Sequence, residues 1–448
     1  MTLRVAMACG LLLTIGPVAA AQAPTTAPAD EPRPRPTQHG NWWDWPQMTG
    51  DWGGLRTELS DKGVTLDFGI TQIIQHNARG GRNTHDAFEY SGSADITLKL
   101  DTAKMDLWPG GMILLNAEPK WHNGVNPHVG SLIPVNLDAV KPNDDECIMT
   151  LSEWFYQQVL FDGKLVLLAG KLDGSRAFDT NAFANDERTQ FMNLALRNNA
   201  VICGLCPYTT LGVGAIVNPT DWLSIRTAVL DTSGQASVPG FESAFHSPVD
   251  MTLLHEWDFK VKPFEREGNY RVGFAWSSKD FPHLSPKSPF RQTAPLLIAL
   301  LGLDTVNKIA PMLPTKQSRD NVVMYFNFDQ WLYQEPEDPL QGIGLFGRFG
   351  WAREDVNPIE QFYSIGMGGR GVIPGRDRDT CGLGYYHANL SDEMPPMLHS
   401  ESGIEMYYNI EITPWLHVSP DLQIIVDPGG SSGSETSIVY GLRMQMSL

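Results

Sequence analysis

The sequence predicts an all-β fold, a transmembrane antiparallel β-barrel of about 16 strands preceded by a short N-terminal helix. Two observations lead to this prediction. Apolar and polar residues alternate along many segments, and the 42 glycines and 32 prolines are spread through the chain, which is typical of many short strands and turns. Aromatic residues make up 10% of the chain, too many for a disordered protein.

Alternation with a period of two is clearest in seven segments, each with an apolar and a polar face. They are residues 64–71, 95–101, 222–229, 270–277, 322–329, 404–412 and 438–448. Weaker patterns predict nine more strands, at residues 112–118, 151–160, 165–171, 213–217, 251–261, 343–351, 361–369, 381–390 and 416–426. An even total of about 16 strands is expected of a bacterial barrel that holds an aqueous channel.

The same alternation fits two kinds of fold. A soluble sandwich buries the apolar faces in its core, whereas a membrane barrel turns them toward lipid and lines a wet bore with the polar faces. The best strands run for about 9–11 residues, the length that crosses a bilayer at a tilt. Aromatic residues at strand ends (Trp276, Trp331, Trp351 and Trp415) and a strand at the C terminus also favour the barrel.

Four regions are predicted along the chain. Residues 1–21 have a basic start, an apolar centre and a run of alanines, the pattern of a signal peptide. Residues 22–48 are a Pro/Ala-rich periplasmic linker, residues 49–63 a short periplasmic helix, and residues 64–448 the outer-membrane barrel. In the helix, Asp51 is the predicted cap, Leu55 and Leu59 share a face, and Gly63 ends the helix.

The formal net charge of −18 argues against nucleic acid as a partner. Four cysteines follow the predicted signal peptide, and an even number permits disulfides without revealing their pairing. They are Cys147, Cys203, Cys206 and Cys381. For the Cys203–Cys206 pair, a loop disulfide or free thiols are favoured over a redox or zinc motif, because no second ligand pair stands at the required spacing.

No catalytic, metal or cofactor site is predicted. Residues 342–347 and 366–371 fit the dinucleotide pattern GxGxxG, but they lie inside alternating strands, where small residues next to bulky neighbours are the simpler interpretation. Residues 429–433 fit the nucleophile pattern GxSxG, but they follow a proline and precede the last strand, which favours a turn.

Three stretches carry a resemblance to a known family. They are residues 49–59 (TGDWGGLRTEL), residues 183–191 (FANDERTQF) and the closing block at residues 405–430. Together they resemble the carbohydrate-selective porins of the OprB type. The resemblance implies a sixteen-stranded outer-membrane barrel for passive diffusion of mono- or small oligosaccharides. The chain departs from the usual pattern of outer-membrane barrels by ending in Leu448 rather than Phe.

The resemblance also implies a channel constriction rich in Arg with acidic partners. Charge-assisted hydrogen bonds suit sugar hydroxyls, provided that binding stays weak enough for release. The predicted substrate-binding residues of the lumen are Arg226, Arg271, Arg348, Arg443, Asp67, Asp95, Lys99, Glu153, Phe155, Asp329, Glu405 and Glu411. For each charged residue, the alternative is an inter-strand ion pair that stiffens the wall.

The sequence also predicts two segments that are not strands, and it predicts the partners of the protein. Residues 183–191 are expected to be helical or loop-like, and residues 279–319 to fold into the channel or pack on its rim. The expected partners are carbohydrate solutes, outer-membrane lipid and lipopolysaccharide, and a homo-oligomer stays open. The alternative functions are a secreted glycan-binding or glycan-cleaving β-sandwich, and a barrel that acts as an adhesin or cell-wall tether.

Overall fold

The computed structural model of the chain describes residues 40–122, 124–140, 147–238, 241, 249–284 and 317–448. The predicted signal peptide, most of the predicted linker and the centre of the 279–319 segment lie outside these residues. Within them, sixteen strands form one closed barrel. In addition, Phe281–Pro282 pairs with Gln317–Ser318 as a separate two-stranded sheet.

Each of the sixteen predicted segments overlaps one barrel strand, although several strands are longer than predicted. In chain order they are β1 Val64–Arg79, β2 Phe88–Asp101, β3 Gly111–Trp121, β4 Cys147–Leu160, β5 Leu165–Leu172, β6 Thr210–Thr220, β7 Leu223–Asp231, β8 Met251–Val261, β9 Gly268–Ser277, β10 Asn321–Gln334, β11 Gly342–Ala352, β12 Ile359–Arg370, β13 Thr380–Leu390, β14 Ser400–Thr413, β15 Leu416–Val426 and β16 Ser437–Ser447. Each pairs antiparallel with its neighbours in the chain. The first and last strands close the barrel, with Ile74 opposite Leu442.

The direction of the apolar faces separates the two folds left open by the sequence. In β14, Ile404 and Met406 point outward and are about half exposed, whereas Glu405 and Tyr407 point inward and are buried. In β10, Met324 is 54% exposed on the outer wall. The apolar faces therefore form the outer wall, and the polar faces line the interior. The barrel is confirmed, and the sandwich is wrong.

The N-terminal helix is present but shorter than predicted. Helix α1 spans Leu55–Asp61, because Trp52–Gly54 forms a 3-10 turn in which Gly53 has a φ of 72°. The carboxylate of Asp51 accepts hydrogen bonds from the Thr57 amide at 2.8 Å and the Thr57 hydroxyl at 2.9 Å. Asp51 therefore stabilises the first turn, as expected of a capping residue.

The two ends of the barrel differ in the length of their connections. One end, here called the turn end, carries residues 40–63, the last residue Leu448, and short links such as residues 161–164 and 221–222. The opposite end, the loop end, carries long connections, among them residues 122–146 and 173–209. This asymmetry is typical of outer-membrane barrels.

Two of the four predicted interfacial tryptophans lie elsewhere. Trp276 and Trp351 point outward, but Trp331 points into the barrel, where its ring packs on Phe183 at 4.8 Å. Trp415 is 4% exposed in the turn between β14 and β15. The outward positions follow the alternation, whereas Trp331 and Trp415 are held by aromatic contacts that the alternation does not predict.

Candidate functional site

The connection between β5 and β6, residues 173–209, enters the barrel; it is called the infolded loop below. Its Asp179 forms an ion pair with Arg348 of β11, and the side-chain Nδ2 of its Asn193 donates to Oε1 of Gln423 on β15 at 3.1 Å. Because β11 and β15 stand far around the wall from β5, the loop crosses the bore. It is mostly irregular, with short helices α2 (Leu194–Arg197) and α3 (Ala200–Cys203). The predicted non-strand segment 183–191 is part of it.

Glycines on the inner faces of β11–β13 make room for the apolar side chains of the infolded loop. A Cβ added at Gly368 would lie 2.6 Å from Cβ of Phe183, and one at Gly384 would lie 2.8 Å from Leu196. The two GxGxxG patterns are therefore strand segments that receive bulky neighbours, as the sequence interpretation predicted.

Arg348 attaches the infolded loop through several hydrogen bonds from one side chain. Its buried guanidinium donates to the Asp179 carboxylate at 3.1 and 3.2 Å. It also donates to the carbonyl oxygens of Leu196, Ala184 and Arg197 at 2.8, 2.6 and 2.9 Å. A guanidinium offers five donors in a rigid fork, which explains why arginine suits this position.

A row of alternating charges supports the loop on β7–β10. Arg226 pairs with Glu256 at 2.8 Å and with Asp258 at 2.7 Å. Arg271 pairs with Asp329 at 2.6 Å and lies 3.5 Å from Asp258. Apart from Arg226, which keeps slight exposure, these side chains are buried. The row therefore lies between the wall and the infolded loop rather than facing open water.

Two further predicted residues hold the loop from β14 and β16. Glu405 accepts hydrogen bonds from the backbone amides of Met192 at 2.6 Å and Asn193 at 3.0 Å. Arg443 donates to the carbonyl oxygens of Glu187 and Gln190 at 2.7 and 2.8 Å. Side chains that satisfy loop backbone groups fix an irregular segment that would otherwise leave buried polar groups unpaired.

The remaining predicted lumen residues have different surroundings. Glu153 pairs with Arg176 of the infolded loop at 2.6 Å, and the buried Phe155 lines a small, largely apolar pocket. Lys99 pairs with Asp67 at 3.1 Å near the turn end, and both side chains are about half exposed. Glu411 pairs with Arg378 at 2.8 Å.

The structure thus brings most of the predicted residues against the infolded loop. Contact between solute and any of the predicted residues stays a prediction.

Apart from Asp95, a predicted lumen residue, sequence reasoning missed a group of side chains that meet between the infolded loop and β2–β3, here called the Arg188 cluster. Arg188 of the loop pairs with Asp95 at 3.0 Å and with Glu118 at 2.9 Å. Lys120 lies 3.3 Å from Glu118, and Tyr208 donates to the same carboxylate at 3.0 Å. The charged sequence of residues 183–191 was the available signal for Arg188, but nothing in the sequence pointed to Tyr208.

The opposite charges around the Arg188 cluster set its protonation. Burial would raise the pKa of Glu187, but the guanidinium groups of Arg197 and Arg188 hold it well below its usual range. Burial would lower the pKa of Arg188, but the carboxylates of Asp95, Glu187 and Glu118 raise it. The loop therefore presents fixed charges of both signs. Within the described residues, no three His, Cys, Asp or Glu side chains are placed to hold a metal ion.

Sequence comparisons agree with this architecture. The family model described as carbohydrate-selective porin, OprB family, matches residues 85–448. Porin B of Pseudomonas aeruginosa is 22% identical over 89% of this chain and 90% of its own length. A putative porin QuiX of Acinetobacter baylyi is 20% identical over 89% of this chain and 92% of its own.

Solved structures show the same fold. The high-pH structure of Pseudomonas putida OprB superposes with a TM-score of 0.75 and 22% identity, covering 90% of this chain and 99% of that one. The low-pH structure of the same protein superposes with a TM-score of 0.57 and 17% identity over the same shares of the two chains.

Proposed function

Since the chain belongs to the OprB family and is a carbohydrate-selective porin of the outer membrane, we propose that it passes mono- or small oligosaccharides by passive diffusion beside its infolded loop. The family is one of channels rather than of enzymes. The proposal also covers a size range for the solute, a path through the bore and a direction of the chain across the membrane.

One observation carries the proposed path. Inside the bore, side chains in and beside the Arg188 cluster are partly exposed to water. The side chain of Arg176 is 52% exposed, and that of Arg188 is 21% exposed. Sugars that leave bulk water need replacement hydrogen bonds, and charged donors and acceptors make the stronger ones. Because Arg188 is already engaged with carboxylates, its bonds to a passing hydroxyl are weak enough to release it.

The exposed pair of Lys99 and Asp67 and the carboxylate of Glu411 remain candidates for solute contact near the turn end. The buried Arg226, Arg271 and Arg348 would act on transport through the position of the infolded loop. Replacing these three arginines by Ala should then change the width of the passage more than its affinity for any one sugar.

The orientation follows the rule that short turns of outer-membrane barrels face the periplasm. The turn end, with helix α1, would then be periplasmic, residues 1–21 would be removed after export, and residues 22–48 would form a linker. Lipid would contact the apolar outer wall, and lipopolysaccharide would contact the loop end. The proposal covers both a monomer and a homo-oligomer. A protease-sensitive tag inserted in residues 391–399, at the loop end, should be cleaved on intact cells, whereas cleavage only after the outer membrane is opened would reverse the orientation.

Planar-bilayer conductance and liposome swelling test the proposed transport. We expect ion current from the folded protein, and swelling rates that fall from mono- to di- to trisaccharides. Folded protein that gives no current and no swelling would overturn the proposal. Rapid entry of large oligosaccharides would instead show that the infolded loop does not narrow the bore.

A further inference from the structure

One aromatic side chain of the infolded loop borders water inside the barrel. Tyr208 precedes β6, and its hydroxyl donates to the carboxylate of Glu118, which points inward from β3. The bond places the ring within the bore, yet 43% of the Tyr208 surface is open to solvent. The next residues, Thr209 and Thr210, are buried, so the exposure belongs to the tyrosine and not to the whole segment.

The ring is held in a fixed position by its neighbours. Glu118 receives the Tyr208 hydroxyl, Arg188 and Lys120 together. The ammonium nitrogen of Lys120 also lies 5.4 Å from the centroid of the Tyr208 ring, a cation–π contact. Because Glu118 and Lys120 are buried against the wall, the ring cannot swing freely. A fixed ring loses little conformational freedom when a solute contacts it.

Hydrogen-bonding groups surround this ring. Arg188 shares the Glu118 carboxylate with it, and Arg176 of the same loop keeps about half of its side chain exposed. A pyranose carries C–H groups on its ring faces and hydroxyls around its edge, so it fits an apolar ring bordered by charged groups. An acyclic polyol of the same carbon number has similar hydroxyls but no flat apolar face.

We propose that Tyr208 is the stacking surface of a pyranose-binding site in the constriction, and that it makes the channel favour pyranoses over acyclic polyols of equal size. The proposal rests on the proposed sugar diffusion and names the class of sugar. Stacking supplies the discrimination, while Arg188 and Arg176 donate to the edge hydroxyls.

The test compares D-glucose with the acyclic hexitol D-glucitol in planar bilayers and in liposome swelling. The wild-type channel, Tyr208→Phe and Tyr208→Leu are measured, with Tyr333→Leu as the matched control, because Tyr333 is about equally exposed but lies near the turn end of β10. The ion current reports that each channel has assembled. The interruption of that current by glucose reports binding in the constriction.

We expect the wild type and Tyr208→Phe to bind glucose more strongly than glucitol, because both keep the ring. In Tyr208→Leu, glucose binding should weaken about fivefold, the factor for about 40 Å² of lost apolar contact, with little change for glucitol. Tyr333→Leu should retain the wild-type preference.

Equal binding of glucose and glucitol by a conducting wild-type channel would overturn the inference and leave the porin function standing. Equal losses in Tyr208→Phe and Tyr208→Leu would also overturn it, because they would assign the effect to the hydroxyl bond with Glu118. A wild type without ion current would instead contradict the proposed function itself.

Discussion

Replacing Arg348 by Met should release the infolded loop without unfolding the barrel. Arg348 is buried, and its guanidinium serves the Asp179 carboxylate and carbonyl oxygens of the loop. Removing one partner of a buried ion pair costs about 3–5 kcal/mol, because the other charge stays buried without its counter-charge. At about 1.4 kcal/mol per factor of ten, the attached state of the loop would lose roughly 10²- to 4 × 10³-fold in population relative to detached states.

The barrel should survive this change because its strands are joined by backbone hydrogen bonds that Arg348 leaves in place. Position 348 pairs with Asn327 on β10 and Ser364 on β12 through the main chain. Single-channel recording in planar bilayers should therefore show larger and noisier conductance steps. Liposome swelling should show entry of larger oligosaccharides, while the heat-dependent mobility of the barrel in detergent gels stays as in the wild type.

A second substitution separates the buried charge from the lost contacts. Adding Asp179→Asn to Arg348→Met removes the unpaired carboxylate, so the double variant should return part of the way to wild-type conductance. Arg79→Met is the control, because Arg79 forms an exposed pair with Glu435, of a kind worth at most about 1 kcal/mol. If Arg348→Met keeps the conductance and solute cut-off of the wild type, Arg348 does not anchor the loop.

Two more substitutions test how loop and wall fit together. Gly384→Ala places a Cβ 2.8 Å from the Leu196 side chain, so we expect the loop to shift and the conductance to change, since overpacking of this kind costs about 1–3 kcal/mol. Unchanged conductance would show that the contact is not tight. Trp415→Ala removes a buried ring that packs on Trp42 at 4.4 Å between ring centroids. The free energy of unfolding in urea should fall by about 3–5 kcal/mol, with conductance retained. An unaltered urea midpoint of unfolding would contradict this role of Trp415.

Much of the wall could be predicted from the sequence. The alternation along β14, where Ile404 and Met406 oppose Glu405 and Tyr407, requires only that successive side chains point to opposite faces. The same local rule located the sixteen strands and the direction of most of their side chains, with exceptions such as Trp331. The contact of Asp51 is local too, since its partner Thr57 lies six residues further along the chain.

The contents of the bore could not be predicted in this way. The alternation places Arg348 and Glu405 inside the barrel, but it does not predict whether their side chains contact protein or water. Their partners Asp179 and Met192 stand 169 and 213 residues away in the chain. Tyr208 gave no signal, because its importance comes from Glu118 on a strand 90 residues earlier.

The chain's own order of residues thus determined the wall, since side-chain direction depends on neighbours a few positions apart and each strand pairs with its neighbours in the chain. Only the tertiary structure decided what fills the bore. That depends on the path of residues 173–209 across the interior, which is set by hydrogen bonds and ion pairs to strands distant in sequence. Those contacts leave Tyr208 and Arg176 open to water, while Arg348 and Arg443 are buried beneath the loop.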